Sequence, residues 1–366
     1  MTRSSQGVVD SLDLTEVLEH PDGGIKFTFI VPTDVTGQTD ERSILTLKNQ
    51  LQIARDHLLK QGRRGTEVDA LLAPVEALLG DSSYWRLQSR SLVVYLTDGF
   101  FQSIRVPLEL PESLTISQRF NLLPLAPMIA SDRRLYVFAL SQNSIRLFDS
   151  SRNVIEELPL GDIPTSFDDV IDELPERALD VSIRSGGIDG TPSFHGPDRD
   201  IDRALLERFI GVVAGHLDER LGTARSQLLV LAAVEEYLPI FRDASSYPRI
   251  FDRVIAGNPE HSHPDDLRSA AWALVAARET ALEDEERDKA RSVAHGGKGA
   301  FDLVEIARAA EEGRVDTLFL PRDYTRFPDD ESRALANRSL LGTLRNSGTL
   351  RTIGELEYDG LATFRY

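Results

Sequence analysis

The sequence predicts a multidomain α/β protein: an α+β N-terminal domain, a mixed α/β middle domain and a C-terminal α/β sandwich. Three orderings of hydrophobic pattern carry that prediction. Residues 26–106 read strand, helix, helix, strand, strand. Residues 135–233 read three short strands, a long stretch without apolar period, a helix and an uninterrupted apolar run. Residues 264–366 read helix, glycine turn, helix, strand, helix, strand, strand. The domain limits that follow are 1–128, 129–262 and 263–366, and 366 residues suffice for two or three separate cores.

In the first domain, KFTFIV (26–31) alternates and is rich in β-branched and aromatic types, as a strand should be, and Pro32 ends it. SILTLKNQLQIARDHLLK (43–60) places Ile44, Leu47, Leu51, Ala54 and Leu58 at helical spacing, with Asp40 or Ser43 as its cap. Gln61–Gly65 breaks that helix, and a second runs through Glu67–Leu79. Strands at Ser91–Tyr95 and Phe101–Val106 flank Thr97-Asp98-Gly99, and Asp-Gly between such runs signals a hairpin. Leu110–Pro127, with three prolines and little period, reads as a connection.

The middle domain opens on strands at Leu135–Leu140, Ser144–Phe148 and Val154–Leu160. A short helical turn follows Asp162. A helix at Ile201–Leu217 turns Leu205, Leu206, Phe209, Val212 and Val213 inward. QLLVLAA (227–233) suits a central strand covered on both faces, a helix follows at 234–241, and Tyr247–Val254 reads as a further helical piece. In the last domain Pro264–Ser292 is one long helix opened by a proline, where a missing N–H is harmless. Helices at Phe301–Glu312 and Glu331–Asn346 and strands at Val315–Leu320, Leu350–Ile353 and Leu361–Tyr366 complete it, the last strand lying within the sheet.

Charge and composition exclude several functions. Lys+Arg is 41 and Asp+Glu is 59, a net charge of −18, which opposes non-specific adsorption to nucleic acid or anionic lipid but leaves room for a local basic patch. Lys48, Arg55, Arg63 and Arg64 are the candidates for such a patch, although a solvated helix face and loop is the simpler account of them. The absence of cysteine removes disulfides, thiolate catalysis and thiolate metal sites together. The first residues lack an apolar segment of signal-peptide length, and no stretch reaches the ~20 apolar residues of a membrane span. A cytoplasmic protein without a membrane or DNA partner is expected.

Most short motifs have a structural explanation. His295-Gly-Gly-Lys-Gly lacks the spacing of a phosphate loop and has no strand before it, so it reads as a glycine turn. His261-Ser-His263 offers two imidazoles, too few for a tight zinc site. Asp168-Asp169 and Asp265-Asp266 sit where helices start, where capping explains them. No metal or cofactor is expected. The exception is Ser185–Arg208, a long glycine-containing stretch that feeds a helix. Long loops are more often functional than connecting loops in general. His195 within it is either a general base or a phosphate contact, or an idle loop residue.

Several stretches carry a resemblance. FTFIVPT with ERSILTLKNQLQIARDHL, SLVVYLTDGFFQSIRVPLELP, RLYVFALSQNSIRLF, the FHG-to-Leu217 helix, LLVLAAVEEYLPIFRDASSYPRIFDRVIAGNPE and HGGKGAFDLVEIARAAEEGRVDTLFLP follow one another along nearly the full chain. Together they resemble the archaeal and eukaryotic class-I peptide chain release factors and their bacterial relatives, the bacterial archaeo-eukaryotic release-factor-like proteins, family three. The resemblance implies a ribonuclease-H-like middle domain and a C-terminal domain similar to the kink-turn-binding ribosomal proteins. It also implies that the 185–208 stretch occupies the place of the loop that carries Gly-Gly-Gln in true release factors. Here Gly186-Gly187 is followed by Ile188, and no glutamine stands between Gln142 and Gln227. The stop-codon motif is likewise missing, the matching region reading Arg42-Ser43-Ile44-Leu45-Thr46-Leu47-Lys48-Asn49.

The expectation is therefore a ribosome-associated protein that enters the A site of stalled or idle ribosomes without the hydrolysis motif. Its contacts to rRNA and tRNA would come from Arg184, Gly186, Gly187, His195, Gly196, Arg199, Lys48, Arg63 and Arg64, and a translational GTPase is a further candidate partner. The alternatives are a peptidyl-tRNA hydrolase or ribonuclease built on His195, and a scaffold that has left the ribosome.

Overall fold

The fold is that of a computed structural model, which describes residues 12–35, 41–130, 133–172, 197–222 and 227–366. The chain is a mixed α/β multidomain protein with two compact units. The first comprises Met1–Ser131 and Ala277–Tyr366, the second Asp132–Ala276. Among the described residues no helix is long and apolar enough to cross a membrane.

The first unit holds two sheets. β1 (Lys26–Pro32), β2 (Ser91–Thr97), β3 (Phe100–Val106) and β4 (Ser113–Ser117) form an antiparallel sheet in the order β3-β2-β1-β4. The expected hairpin joins β2 to β3 at Asp98-Gly99. One face of this sheet is covered by α2 (Glu41–Lys60) and α3 (Gly65–Gly80), through Leu47, Leu51, Leu58, Val68 and Leu72 against Phe27, Phe29, Val94 and Leu96. The other face, with Ile30, Val93 and Tyr95, shares its core with Leu303, Ile306, Leu318 and Leu340 from the C-terminal part of the chain. Burial on both faces is why β2 reads as a continuous apolar run. Two short helices, α1 (Thr15–Glu19) and α4 (Ser82–Arg86), were not anticipated. Asp81 caps α4 by accepting from the backbone N–H of Ser83 and Tyr84, each at 3.0 Å.

The expected connection at 110–127 is corrected: it contains β4, a 3-10 turn at Leu123–Leu125 and the start of α5 (Ala126–Ile129). β4 pairs with the free edge of β1, Leu114 opposite Phe29 and Ile116 opposite Phe27. Only those two side chains of the strand are large and apolar, and both stay half-buried, so the signal between the prolines is weak.

The C-terminal sheet of the same unit is β10 (Gly299–Ala300), β11 (Val315–Pro321), β12 (Thr349–Ile353) and β13 (Leu361–Phe364), in the order β10-β13-β11-β12, with β13 inside the sheet as expected. α10 (Leu303–Glu311) and α11 (Asp330–Arg345) pack on it, capped by Asp302 and Asp329. α11 is also bonded to the N-terminal part. Asn337, buried, accepts the N–H of Leu122 at 2.8 Å and donates to the carbonyl of Phe120 at 2.9 Å. Arg345 donates to the carbonyls of Leu18 and His20 and to Asp22, while Arg119 bonds Asp22 and reaches Glu311. Arg338 holds Glu311 with two donors.

The second unit has a mixed five-stranded sheet. β5 (Leu135–Leu140), β6 (Ile145–Ser150), β7 (Ile155–Leu158), β8 (Leu228–Ala233) and β9 (Ile250–Ala256) lie in the order β7-β6-β5-β8-β9. β6 runs antiparallel to β5 and β7, and β8 and β9 run parallel to β5. After α6 (Phe167–Asp172) the described chain resumes in α7 (Pro197–Leu221). Phe209, Ile210, Val213 and Leu217 of α7 pack on one face of the sheet. Leu267, Ala271, Trp272 and Val275, from the first turns of α9 (Pro264–Val293), pack on the other. LLVLAA of β8 is accordingly buried at every position.

The helical piece expected at 247–254 is corrected: it is mostly β9, the edge strand, beside α8 (Tyr237–Ala244). The register of β9 against β8 shifts between Leu229 and Leu231. An irregularity of that kind interrupts the period-2 alternation, and Ile250, Phe251, Val254 and Ile255 then fall at spacings that imitate a helix.

Candidate functional site at the carboxyl edge of the parallel strands

In open α/β sheets, ligands bind in the crevice beyond the carboxyl ends of the parallel strands. In the second unit those ends are Leu140, Ala233 and Ala256. Just past them Leu140–Asn143, Val234, Tyr237 and Gly257–Pro259 line a cavity of about 210 Å³. The β5–β6 turn is fixed by Ser141: its backbone and Oγ both donate to the Ser144 carbonyl at 3.0 Å, and its Oγ accepts the Ser144 N–H at 3.0 Å. Tyr237 is buried and bonds the Gln142 side chain, and burial raises its phenol pKa, so the hydroxyl stays protonated at neutral pH. Glu260 ties two amides together, accepting from Asn143 Nδ2 at 3.1 Å and Asn258 Nδ2 at 3.4 Å.

The 141–144 turn also anchors the chain that leads toward the glycine-rich stretch. The Gln142 carbonyl accepts the Phe167 N–H at 2.7 Å, and Ile145 N–H donates to Thr165 O at 3.0 Å. Asp169 caps α6, accepting from Thr165 Oγ1 at 2.6 Å and from the Thr165 and Ser166 N–H groups at 2.9 Å. Those bonds, the Thr165 hydroxyl first, hold its carboxyl below the usual range. Phe167 meets Phe209 of α7 edge to face at 5.2 Å. Twelve residues of α7 precede Phe209, about 18 Å of helix at 1.5 Å per residue. Arg203, Glu207 and Arg208 in that part are exposed, and Arg203 pairs with Glu207 at 3.0 Å.

Among the residues singled out from the sequence, Arg184, Gly186, Gly187, His195 and Gly196 lie outside the described residues. Arg199 falls in the first turn of α7. Lys48, Arg63 and Arg64 belong to the first unit, Lys48 exposed on α2 and Arg64 exposed just before α3. Arg63 bonds Asp98 at 3.1 and 2.8 Å, and Arg55 pairs with Asp69 and with Glu76 across α2 and α3. The cavity residues Gln142, Asn143, Tyr237 and Asn258 escaped sequence reasoning. Their one signal is position: they stand within five residues of the strand ends at Leu140, Ala233 and Ala256.

The other motifs resolve into local structure. His295-Gly-Gly-Lys-Gly forms a π-helical turn at Ala294–Lys298 running into β10. Gly297 has φ +84°, which favours glycine, and a Cβ on Gly299 would lie 2.2 Å from the Ala362 carbonyl oxygen. His263 Nδ1 accepts the Asp265 N–H at 3.3 Å at the start of α9. Among the described residues no group of three or more His, Asp or Glu is placed to hold a metal ion.

Comparison with known proteins identifies the segment that carries this edge. Residues 134–314 match the family model of the bacterial archaeo-eukaryotic release factor family 3. No curated protein matches. Among solved structures, the archaeal translation termination factor aRF1 is 11% identical over 96% of each chain, with a TM-score of 0.25. Archaeal Pelota, from a model of ribosome-bound Pelota and ABCE1, is 12% identical over 96% of this chain and 93% of that one, with a TM-score of 0.37. Dom34 of S. cerevisiae, a translation termination-like factor, is 12% identical over 76% and 73%, with a TM-score of 0.30. The family match spans β5 to β9, the cavity and the whole of α7, and it is this segment of the chain that is similar to the release factor family.

Proposed function

We propose that the protein is a cytoplasmic, RNA-binding factor that occupies the A site of stalled or idle bacterial ribosomes, in rescue, quality control or hibernation, and that it does so without hydrolysing peptidyl-tRNA. The observation that carries this reading is the family 3 match over residues 134–314, which includes the 185–208 stretch and both elements that flank it. The sequence supplies the second half: Gly186-Gly187 is followed by Ile188, so the residue that would position water is missing. With a net charge of −18, binding must rest on a few local phosphate contacts rather than on the overall field. Those contacts come from Arg184 and Arg199 beside Gly186, Gly187, His195 and Gly196, with Lys48, Arg63 and Arg64 as a second group. A translational GTPase is the partner to seek, and the three-part division at 128/129 and 262/263 belongs to the same proposal.

The test is co-sedimentation of the full chain with 70S ribosomes from growing and from starved cells. Binding that weakens with salt supports the reading. Protein that stays in the supernatant in every state refutes it. Stoichiometric peptide release from ribosome-bound peptidyl-tRNA, lost on His195→Ala, would replace it with the hydrolase reading.

A further inference from the structure

The cavity at the carboxyl edge of β5, β8 and β9 has a composition that selects its ligand. Its volume, about 210 Å³, is below the about 300–1,000 Å³ of sites for drug-sized molecules. It therefore admits one ring system rather than an extended ligand. The walls are of two kinds. Leu140, Val234 and Pro259 supply apolar surface, and Val234 is 40% exposed, high for a valine. Gln142, Asn143 and Asn258 supply exposed carboxamides; Asn258 is bonded to Glu260 through both its Nδ2, at 3.4 Å, and its Oδ1, which accepts the Glu260 N–H at 3.1 Å, and Gln142 and Asn143 are the amides that face a ligand.

The charges nearby point one way. Among the described residues no lysine or arginine lines the cavity, whereas Glu260 holds both asparagines and Glu235 and Glu236 stand exposed between Val234 and Tyr237. A phosphate or carboxylate is disfavoured there, and a neutral group rich in donors is favoured. Asn143 donates its Nδ2 to Glu260 and is exposed, so its Oδ1 can accept from a ligand in place of water. A flat heterocycle with an exocyclic amino group and a ring nitrogen meets these demands: its face lies on the apolar wall and its edge on the amides. Asn and Gln pair in this manner with the amino and ring nitrogens of adenine, and unstacked bases of single strands are read by their edges.

We propose that this cavity binds an amino-substituted nucleobase, of the adenine type, through the Asn143 and Gln142 amides and the Val234–Pro259 wall. The inference rests on the cavity alone and stands whether or not the protein binds ribosomes. The base has two sources, a free nucleoside or an unpaired base of an RNA strand.

Equilibrium dialysis of the full chain against adenosine, AMP, uridine and a short oligoadenylate tests it. Saturable adenosine binding is expected, at least threefold tighter than AMP or uridine. Asn143→Ala should weaken adenosine at least tenfold, and Val234→Trp, which fills the mouth from an exposed position, should abolish binding. Oligoadenylate binding more tightly than adenosine, and lost in the same variants, assigns the site to an RNA base. Oligoadenylate binding no better than adenosine assigns it to a nucleoside. Absence of saturable binding by all four probes overturns the proposal, as does binding unchanged in both variants. Normal 70S co-sedimentation beside absent adenosine binding would overturn this inference and leave the ribosome reading intact.

Discussion

Replacing Asn337 tests whether the N-terminal sheet and the C-terminal sandwich are one cooperative unit. Its amide satisfies two main-chain groups 215 and 217 residues away in sequence, the Leu122 N–H and the Phe120 carbonyl, both at nearly fully buried residues. In Asn337→Ala neither finds water or another partner. An unsatisfied buried polar group costs about 1–3 kcal/mol, so the pair predicts a loss of about 2–6 kcal/mol. At about 2–3 kcal/mol per molar urea, the midpoint falls by about 0.7–3 M. The chain has two tryptophans, and they divide the measurement. Trp85 is buried in the first unit and Trp272 in the second, where its indole donates to Ser150 Oγ at 3.2 Å. In a Trp272→Phe background, fluorescence follows the first unit alone; in a Trp85→Phe background it follows the second. The expected outcome is a large shift in the Trp85 transition and none in the Trp272 transition. A shift of less than about 0.5 kcal/mol, the usual size for surface substitutions, would refute the assigned role of Asn337. Equal shifts in both transitions would refute the division into units.

Three further outcomes follow from named contacts. Gly299→Ala should lower the stability of the first unit by about 2 kcal/mol or more, because the added Cβ meets the Ala362 carbonyl at 2.2 Å and the Ala294 Cβ at 2.9 Å; Gly296→Ala, with nothing within 4 Å, should be nearly silent in the same Trp85 unfolding curve. Asp218→Ala should shift the Trp272 transition by about 2 kcal/mol, since buried Asp218 accepts from Ser245 Oγ at 2.9 Å, Ser246 N at 2.5 Å and Ser246 Oγ at 2.8 Å. The first unit should also be acid-sensitive. Arg338 holds the Glu311 carboxyl below its ordinary 4.5, and at Asp22 bonds from Arg345 and Arg119 outweigh burial and hold it below 3.8. Carboxyls with depressed folded values stabilise above their unfolded values and lose that contribution as pH falls through the folded ones. The Trp85 midpoint should therefore be flat above about pH 5 and fall below about pH 4, less steeply in Arg345→Ala; a midpoint that instead rises on acidification would contradict this.

The elements legible in the sequence are those whose pattern their surroundings enforce. β8 is apolar throughout because α7 and the first turns of α9 cover its two faces. α2 shows a clear period because one side meets the sheet and Leu45 and Ile53 on the other are exposed. β4 and β9 were lost for opposite reasons: β4 has two half-buried anchors between prolines, and β9 carries a register shift that mimics helical spacing. The shared core of β1–β3 with α10 and α11 could not be read at all, since no local pattern records which distant segment covers a buried face. The cavity was missed for a related reason. Its polar side chains come from separate segments, near 142, 237 and 258, and only the parallel order of β5, β8 and β9 brings them together.

The ion pairs narrow where an acidic protein can meet RNA. Arg55, Arg63, Arg119, Arg146, Arg338 and Arg345 each pair with a carboxylate of this chain, and Arg345 spends its remaining donors on the carbonyls of Leu18 and His20. A guanidinium so engaged must lose an intramolecular partner before it can hold a phosphate. Of the first-unit candidates this disfavours Arg63, bonded twice to Asp98, relative to Lys48 and Arg64. On the ribosome reading, Arg184 and Arg199 are then the cations to test first. Each phosphate contact contributes about 0.7–0.9 to the slope of log K against log salt, so Arg184→Ala with Arg199→Ala should flatten the slope for 70S binding by about 1.4–1.8. Arg63→Ala should leave it unchanged. A double variant with an unaltered slope would place the phosphate contacts elsewhere on the chain, and a slope altered by Arg63→Ala would mean that the Asp98 pair opens on binding.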